Sequence, residues 1–173
     1  MASNAHHLVI MGISGSGKTT IASLLSRKLG WTYAEADEFH SVENIGKMTE
    51  GTALTDEDRW PWLTSIQEWM TSKTGQSEST IVTCSALKRT YRNVLTQADG
   101  DVRFVHLLGD VELIRERMKT RSGHFMPESL LPSQVSTLEP LQAGEPGMTI
   151  NNTGTPDEVT DHILSEFGLH PRG

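Results

Sequence analysis

The sequence predicts a parallel α/β sheet with helices on both faces, and three observations carry that prediction. Five short, mostly apolar runs alternate with stretches of helical periodicity: Leu8–Met11, Trp31–Ala36, Thr80–Cys84, Val102–Leu108 and Met148–Asn151. The runs are apolar along their length instead of at every second residue, as strands buried on both faces are. The first run passes through a glycine-rich turn straight into a helix, in LVIMGISGSGKTT at Leu8–Thr20. A chain of 173 residues suits one domain, 1–173, around one core.

The elements follow in order. From Gly12 the turn reads G-I-S-G-S-G-K-T, a full match to G-x-x-x-x-G-K-[ST]. Its three glycines let successive backbone N–H groups point at phosphate oxygens, and the helix opening near Lys18 adds its positive end. Lys18 is placed to reach the β- and γ-phosphates, and the Thr19 hydroxyl to hold Mg²⁺. Ile21, Leu24, Leu25 and Leu29 give this helix its apolar face. After the second strand, Ser41 caps a short helix to Thr49, and Gly51 ends it. Thr55-x-x-Asp58 resembles a capping box for a helix bearing Trp62, Leu63, Ile66, Trp69 and Met70, with Pro61 tolerated near its start or bending it. Trp60, Trp62 and Trp69 read as core. Ser72–Ser79 is a polar loop, and Ser85–Leu95 a basic helix with Lys88, Arg89 and Arg92.

Gly109-Asp110 opens a helix whose buried face is Val111, Ile114 and Met118. Ser122–Pro132, with Gly123, Pro127 and Pro132, reads as a mobile loop, followed by a short helix to about Glu139 and a connection at Pro140–Gly147. Thr155-Pro156-Asp157-Glu158 starts the last helix, with Val159, Ile163 and Phe167 turned inward. A phosphate site belongs at the carboxyl ends of such a sheet.

A net charge of -7 disfavours general nucleic-acid binding. The single cysteine, Cys84, allows no intrachain disulfide and fits a cytoplasmic protein. No apolar run approaches the roughly 18 residues of a membrane span. Met1–His7 lacks the apolar core of a signal peptide, and His6 and His7 read as solvated residues of a tail.

Phosphoryl transfer also needs a metal, charge neutralisation and a base. Glu35-Ala36-Asp37-Glu38-Phe39-His40 closes the second strand, where positions 35 and 37 would share one side. Two carboxylates there divide the work, one on the Mg²⁺ shell and one on the acceptor hydroxyl. Arg117 and Arg121, four residues apart on one helical face, precede the loop and can offset phosphoryl charge. The third strand ends without the usual metal-binding Asp, and no N-K-x-D for guanine appears.

These stretches together resemble the gluconate kinases (gluconokinases), a family of small P-loop sugar-acid kinases. The resemblance runs from Val9 to Phe167 and rests on MGISGSGKTT, Glu35–His40, the NIGKMTEGTALTDEDRWPWL stretch from Asn44, CSALKRTYRNVL from Cys84 and RERMKTRSGHF from Arg115. It implies a P-loop fold like that of the nucleoside-monophosphate kinases, three-layer α/β/α with a lid at about 122–132. It also implies transfer of the ATP γ-phosphate to the 6-hydroxyl of D-gluconate, with Mg²⁺, in a homodimer. By the same resemblance, Gly12, Ser14, Gly15, Ser16, Gly17, Lys18, Thr19 and Thr20 form the ATP loop, and Asp37 is the acceptor-site aspartate. His40, Arg59, Ser85, Lys88, His124 and Gln134 fall around the acceptor, and Arg117 and Arg121 are lid arginines. Asn152–Pro156, with Thr153 and Pro156, lies where adenine is held. Glu35 departs from the Asp common in the family, and it is read as a metal residue acting through water. Arg59 and Lys88 can oppose the gluconate carboxylate, while His40, Ser85 and His124 meet hydroxyls. Two other readings stay open: a different acceptor such as shikimate or another sugar acid, and a nucleotide-binding regulatory module without turnover.

Overall fold

The computed structural model describes residues 5–12, 17–52, 55–84, 88–108, 139, 141, 144–151 and 155–169, with only the backbone at Asp37 and Asn151. Five strands form one parallel sheet in the order β2-β3-β1-β4-β5: β1 His6–Met11, β2 Thr32–Glu35, β3 Thr80–Thr83, β4 Asp101–Leu108 and β5 Gly147–Asn151. The described helices are α1 Lys18–Leu29, α2 Val42–Thr49, α3 Asp56–Gly75, α4 Arg89–Leu95 and α5 Pro156–Phe167, with a 3-10 turn at Ala36–Phe39.

Alternation along β1 sorts the core into two halves. Leu8 and Ile10 join Ile21, Leu25 and Ile163 beneath α1 and α5, whereas Val9 and Met11 join Leu63, Ile66, Met70 and Tyr91 beneath α3 and α4. The expected three layers follow. Lys28 ties α1 to α5 through Thr160, Asp157 and Asp161. Gly147 lets β5 close on β4, since a Cβ there would stand 2.3 Å from the Phe104 carbonyl oxygen. No described helix is long and apolar enough to cross a membrane.

Local signals decide the helix ends. Ser41 Oγ accepts from Asn44 N at the start of α2. Thr55 and Asp58 exchange both bonds of a capping box, as do Thr155 and Glu158, with Pro156 in the first turn of α5. Helix α3 continues through Pro61. Helix α4 begins at Arg89 with Lys88 as its N-cap, later than Ser85. The expected helix after Gly109 and the loop at 122–132 lie outside the described residues.

Four expectations are corrected. The polar loop expected over Ser72–Ser79 starts only after Gly75, because α3 runs on with Thr74 buried between His7 and the Asp99 carbonyl. His6 and His7 are not a solvated tail but the first residues of β1, and His7 is fully buried. Thr74 Oγ1 donates to the Asp99 carbonyl, so it must accept from His7 Nε2 at 2.7 Å; His7 Nδ1 then accepts from Thr80 Oγ1, also at 2.7 Å. Trp60 is 37 % exposed, set edge-on to Tyr91, while Trp62 is in the core and Trp69 packs at its margin. Strand β2 stops at Glu35, so Asp37 sits in the 3-10 turn and strand alternation does not relate it to Glu35.

Candidate active site

Strand β1 ends at Met11, in the middle of the sheet, and α1 starts six residues after Gly12. Its N-cap, Gly17, has φ 98°, a left-handed conformation open to glycine without cost. Gly17 has no side chain with which to cap the helix, and a helix N-terminus suits an anion. Lys18 Nζ folds back onto the Gly12 carbonyl oxygen at 2.9 Å, which keeps the ammonium at the turn.

Thr19 joins this turn to the end of β2. Its hydroxyl donates to Glu35 Oε1 at 2.7 Å, and the hydroxyls of Tyr33 and Thr83 donate to the same carboxylate. Register explains the meeting, because Glu35 pairs with Thr83 and Thr83 with Ile10 across β2, β3 and β1. Burial pushes the Glu35 pKa up, but the three hydroxyls and the Lys18 charge outweigh it and hold the pKa below the ordinary carboxylate value. An anionic carboxylate beside a threonine hydroxyl is the hard-oxygen donor set that suits Mg²⁺. Among the described residues no group of three or more His, Cys, Asp or Glu gathers. Magnesium with phosphates and water as its other ligands needs only one or two carboxylates, so the pair fits.

A second group lies between α3 and α4. Arg59 Nη1 donates to the Tyr91 hydroxyl at 2.8 Å, Tyr91 donates to Asp56 Oδ1 at 2.5 Å, and Lys88 Nζ reaches Asp56 Oδ1 at 3.2 Å. Both cations also stand over the Tyr91 ring, 5.3 and 5.5 Å from its centroid. Two cations and one carboxylate leave a net positive group. The tyrosine bond, followed by Lys88, holds the Asp56 pKa below its usual value.

His40 stacks on Trp62 with centroids 4.1 Å apart. Burial, with the Arg59 charge adding to it, lowers its pKa to about 4, so it is neutral at pH 7 and has one ring nitrogen to donate and one to accept. It also lines a cleft of about 430 Å³ between the 3-10 turn, α2 and α3. Glu43, Glu57 and Asp58 also stand in that wall, Asp58 paired with Lys47 at 2.8 Å, and Arg59 lies near enough for its charge to act on His40.

The structure thus brings Lys18, Thr19 and Glu35 together, and separately Arg59 and Lys88, with His40 between α3 and the 3-10 turn. Thr20 is on the first turn of α1 and Pro156 on the first turn of α5. Ser14, Gly15, Ser16, Ser85, Arg117, Arg121, His124, Gln134 and Thr153 lie outside the described residues. Sequence reasoning passed over Asp56, Tyr91, Tyr33 and Thr83. Tyr91 stands three residues after Lys88 and Asp56 three before Arg59, a helical spacing that could have flagged both. It also passed over His106, buried on β4 beside Met11, whose two ring nitrogens have no hydrogen-bond partner among the described residues.

Fold and site define a P-loop kinase: a parallel sheet, a G-x-x-x-x-G-K-[ST] motif leading into α1, and a carboxylate–threonine pair beside it. A family model described as an AAA domain matches residues 8–141. A gluconokinase of Gluconobacter oxydans (strain 621H) is 42% identical over 160 residues, covering 92% of this chain and 90% of that one. A sugar kinase from Janibacter sp. HTCC2649 superposes with a TM-score of 0.90 at 50% identity, covering 95% of both chains. A gluconokinase from Sinorhizobium meliloti 1021 gives 0.82 at 39% identity, covering 97% of this chain and 94% of that one. The chain belongs to the gluconokinase family, and it is an ATP-dependent carbohydrate kinase.

Proposed function

We propose that the chain transfers the γ-phosphate of ATP to the 6-hydroxyl of D-gluconate, giving 6-phospho-D-gluconate and ADP. The observation that carries the substrate is the match to a relative named gluconokinase over 92% of the chain. The site's chemistry agrees with it. Gluconate is a small anion with many hydroxyls, and Arg59 with Lys88 supplies positive charge, while neutral His40, whose Nδ1 faces Asn44 Nδ2 at 3.4 Å, supplies a donor at Nε2.

In this reading the turn from Gly12 to Thr20 binds the phosphates, and Lys18 exchanges the Gly12 carbonyl for phosphate oxygens. Thr19 and Glu35 would hold Mg²⁺, directly or through water, and the ion supplies neutralisation of phosphate charge. The 6-hydroxyl oxygen bonds to the γ-phosphorus, the bond to the bridging oxygen breaks, and ADP leaves. Asp37 takes the hydroxyl proton. Arg117 and Arg121, beside a lid at 122–132, offset charge on the transferred group. Ser85, His124 and Gln134 complete the acceptor side, and Thr153 and Pro156 the adenine side. The whole chain, 1–173, works as one domain, in a cytoplasmic homodimer.

An acceptor panel in a coupled ADP assay tests the reading. Gluconate should give the largest kcat/KM; a larger value with shikimate or another sugar acid reassigns the acceptor, and no acceptor-dependent ADP favours a regulatory module.

A further inference from the structure

Tyr91 and Arg92 are neighbours on α4 and serve different surroundings. Tyr91 meets Asp56 and Arg59 on α3. Arg92 is fully buried and grips Glu145 with both arms, Nε to Oε1 at 2.6 Å and Nη2 to Oε2 at 3.0 Å. Its remaining arm, Nη1, donates to the Glu139 carbonyl at 3.0 Å, and the Glu139 carboxylate accepts from Arg89 N at 3.2 Å. The front of α4 therefore carries Lys88 and Tyr91, and its back is held by residues that lead into β5.

A buried ion pair is a poor source of net stability, because desolvation takes back most of its attraction. A bidentate guanidinium–carboxylate fork supplies direction instead. Helix α4 has seven residues, too few for its own hydrogen bonds to hold an orientation. A roll of roughly 20° would carry a group ~6 Å from the helix axis by about 2 Å, enough to break the 2.5 Å bond from Tyr91 to Asp56.

We propose that the Arg92–Glu145 pair is a positioning device for the acceptor half of the site: it fixes the roll of α4 and so the placement of Lys88 and Tyr91 against Asp56 and Arg59. The inference rests on the reading that gluconate binds at that group. Arg92 touches no substrate in it and acts through the helix.

Arg92→Lys keeps the charge without the fork, and Glu145→Gln keeps the shape without the charge. Each should raise KM for gluconate about tenfold or more, while KM for ATP and kcat stay within about threefold. The double variant Arg92→Met, Glu145→Leu replaces the pair by apolar packing. It should recover the urea midpoint but not the gluconate KM, because apolar contact sets no direction. An unchanged gluconate KM in the single variants, or a KM that recovers together with stability in the double, overturns the proposal. Amide exchange across Lys88–Leu95, measured with no acceptor present, should be faster in both single variants; unchanged exchange also overturns it. Failure of the wild-type chain to turn over gluconate would instead strike the functional reading, and the exchange measurement would still decide whether the pair holds α4.

Discussion

Replacing Glu35 by Gln separates charge from shape at the edge of the phosphate turn. The carboxylate accepts hydroxyl bonds from Thr19, Tyr33 and Thr83. A bond to a charged acceptor contributes ~1.5–3 kcal/mol and a neutral one ~0.5–1.5; the amide oxygen can keep the Thr19 and Tyr33 bonds in weakened form, but its NH2 cannot accept from Thr83, so roughly 4 kcal/mol is lost. Burial favours the neutral amide and returns part of this, leaving a net fold cost of about 2–3 kcal/mol. The larger effect should fall on turnover. In the proposed reading Glu35 holds Mg²⁺ or its waters through its charge, so its loss should lower kcat ~10²-fold or more, which is about 2.7 kcal/mol on the barrier. The assay is coupled ADP release across a series of Mg²⁺ concentrations, beside a urea titration. Half-saturation should move to higher Mg²⁺ in Glu35→Gln, whereas Glu35→Asp, which keeps the charge at shorter reach, should retain turnover within about tenfold. A kcat and a Mg²⁺ dependence within twofold of wild type in Glu35→Gln would refute the metal role.

Lys18→Ala should nearly abolish turnover with an unchanged circular dichroism spectrum, since in the proposed reading the ammonium acts on phosphate charge and lies at the phosphate turn, outside the core; near-normal turnover would remove the lysine from catalysis. Asp37→Asn should lower kcat by roughly 10²–10⁴ with little change in ATP binding, and a kcat within a few-fold of wild type would show that Asp37 is not the base. His7, His40 and His106 all have pKa values pushed below 6.5 by burial, that of His40 to about 4. The unfolded chain binds more protons in that window, so their contribution is complete above about pH 6.5 and is lost as pH falls toward the folded values. Urea midpoints should fall from pH 7 to pH 4.5, and a flat profile would contradict the burial of neutral imidazoles. His106→Phe should raise the midpoint at pH 7 by removing two nitrogens that have no partner among the described residues, a cost of ~1–3 kcal/mol; a lowered midpoint would mean that the imidazole has a partner in solution.

Periodicity made the sheet legible, because β1, β3 and β4 carry mostly apolar, buried side chains and the helices between them show a helical repeat. Caps read well for the same reason: Ser41, Thr55 and Thr155 act on groups two or three residues away. What escaped was decided at long range. His7 looked like tail because its partners, Thr74 and Thr80, are 67 and 73 residues on. Arg92 was read only as part of a basic helix, because its partner Glu145 is 53 residues away. Pairing Glu35 with Asp37 by alternation failed because the chain turns into a 3-10 helix at Ala36, a choice made where Trp62 Nε1 donates to the Ala36 carbonyl. Glu35 itself was found as a candidate, but its three hydroxyl donors come from α1, β2 and β3, which only the register brings together.

Phosphorus NMR of the reaction with ATP, Mg²⁺ and D-gluconate is the most direct test of what this chain does. A new phosphomonoester signal coupled to the two protons of a primary carbon, growing in step with ADP, is the expected result. ADP that appears with inorganic phosphate alone, or an ester on a secondary carbon, would contradict transfer to the 6-hydroxyl of gluconate.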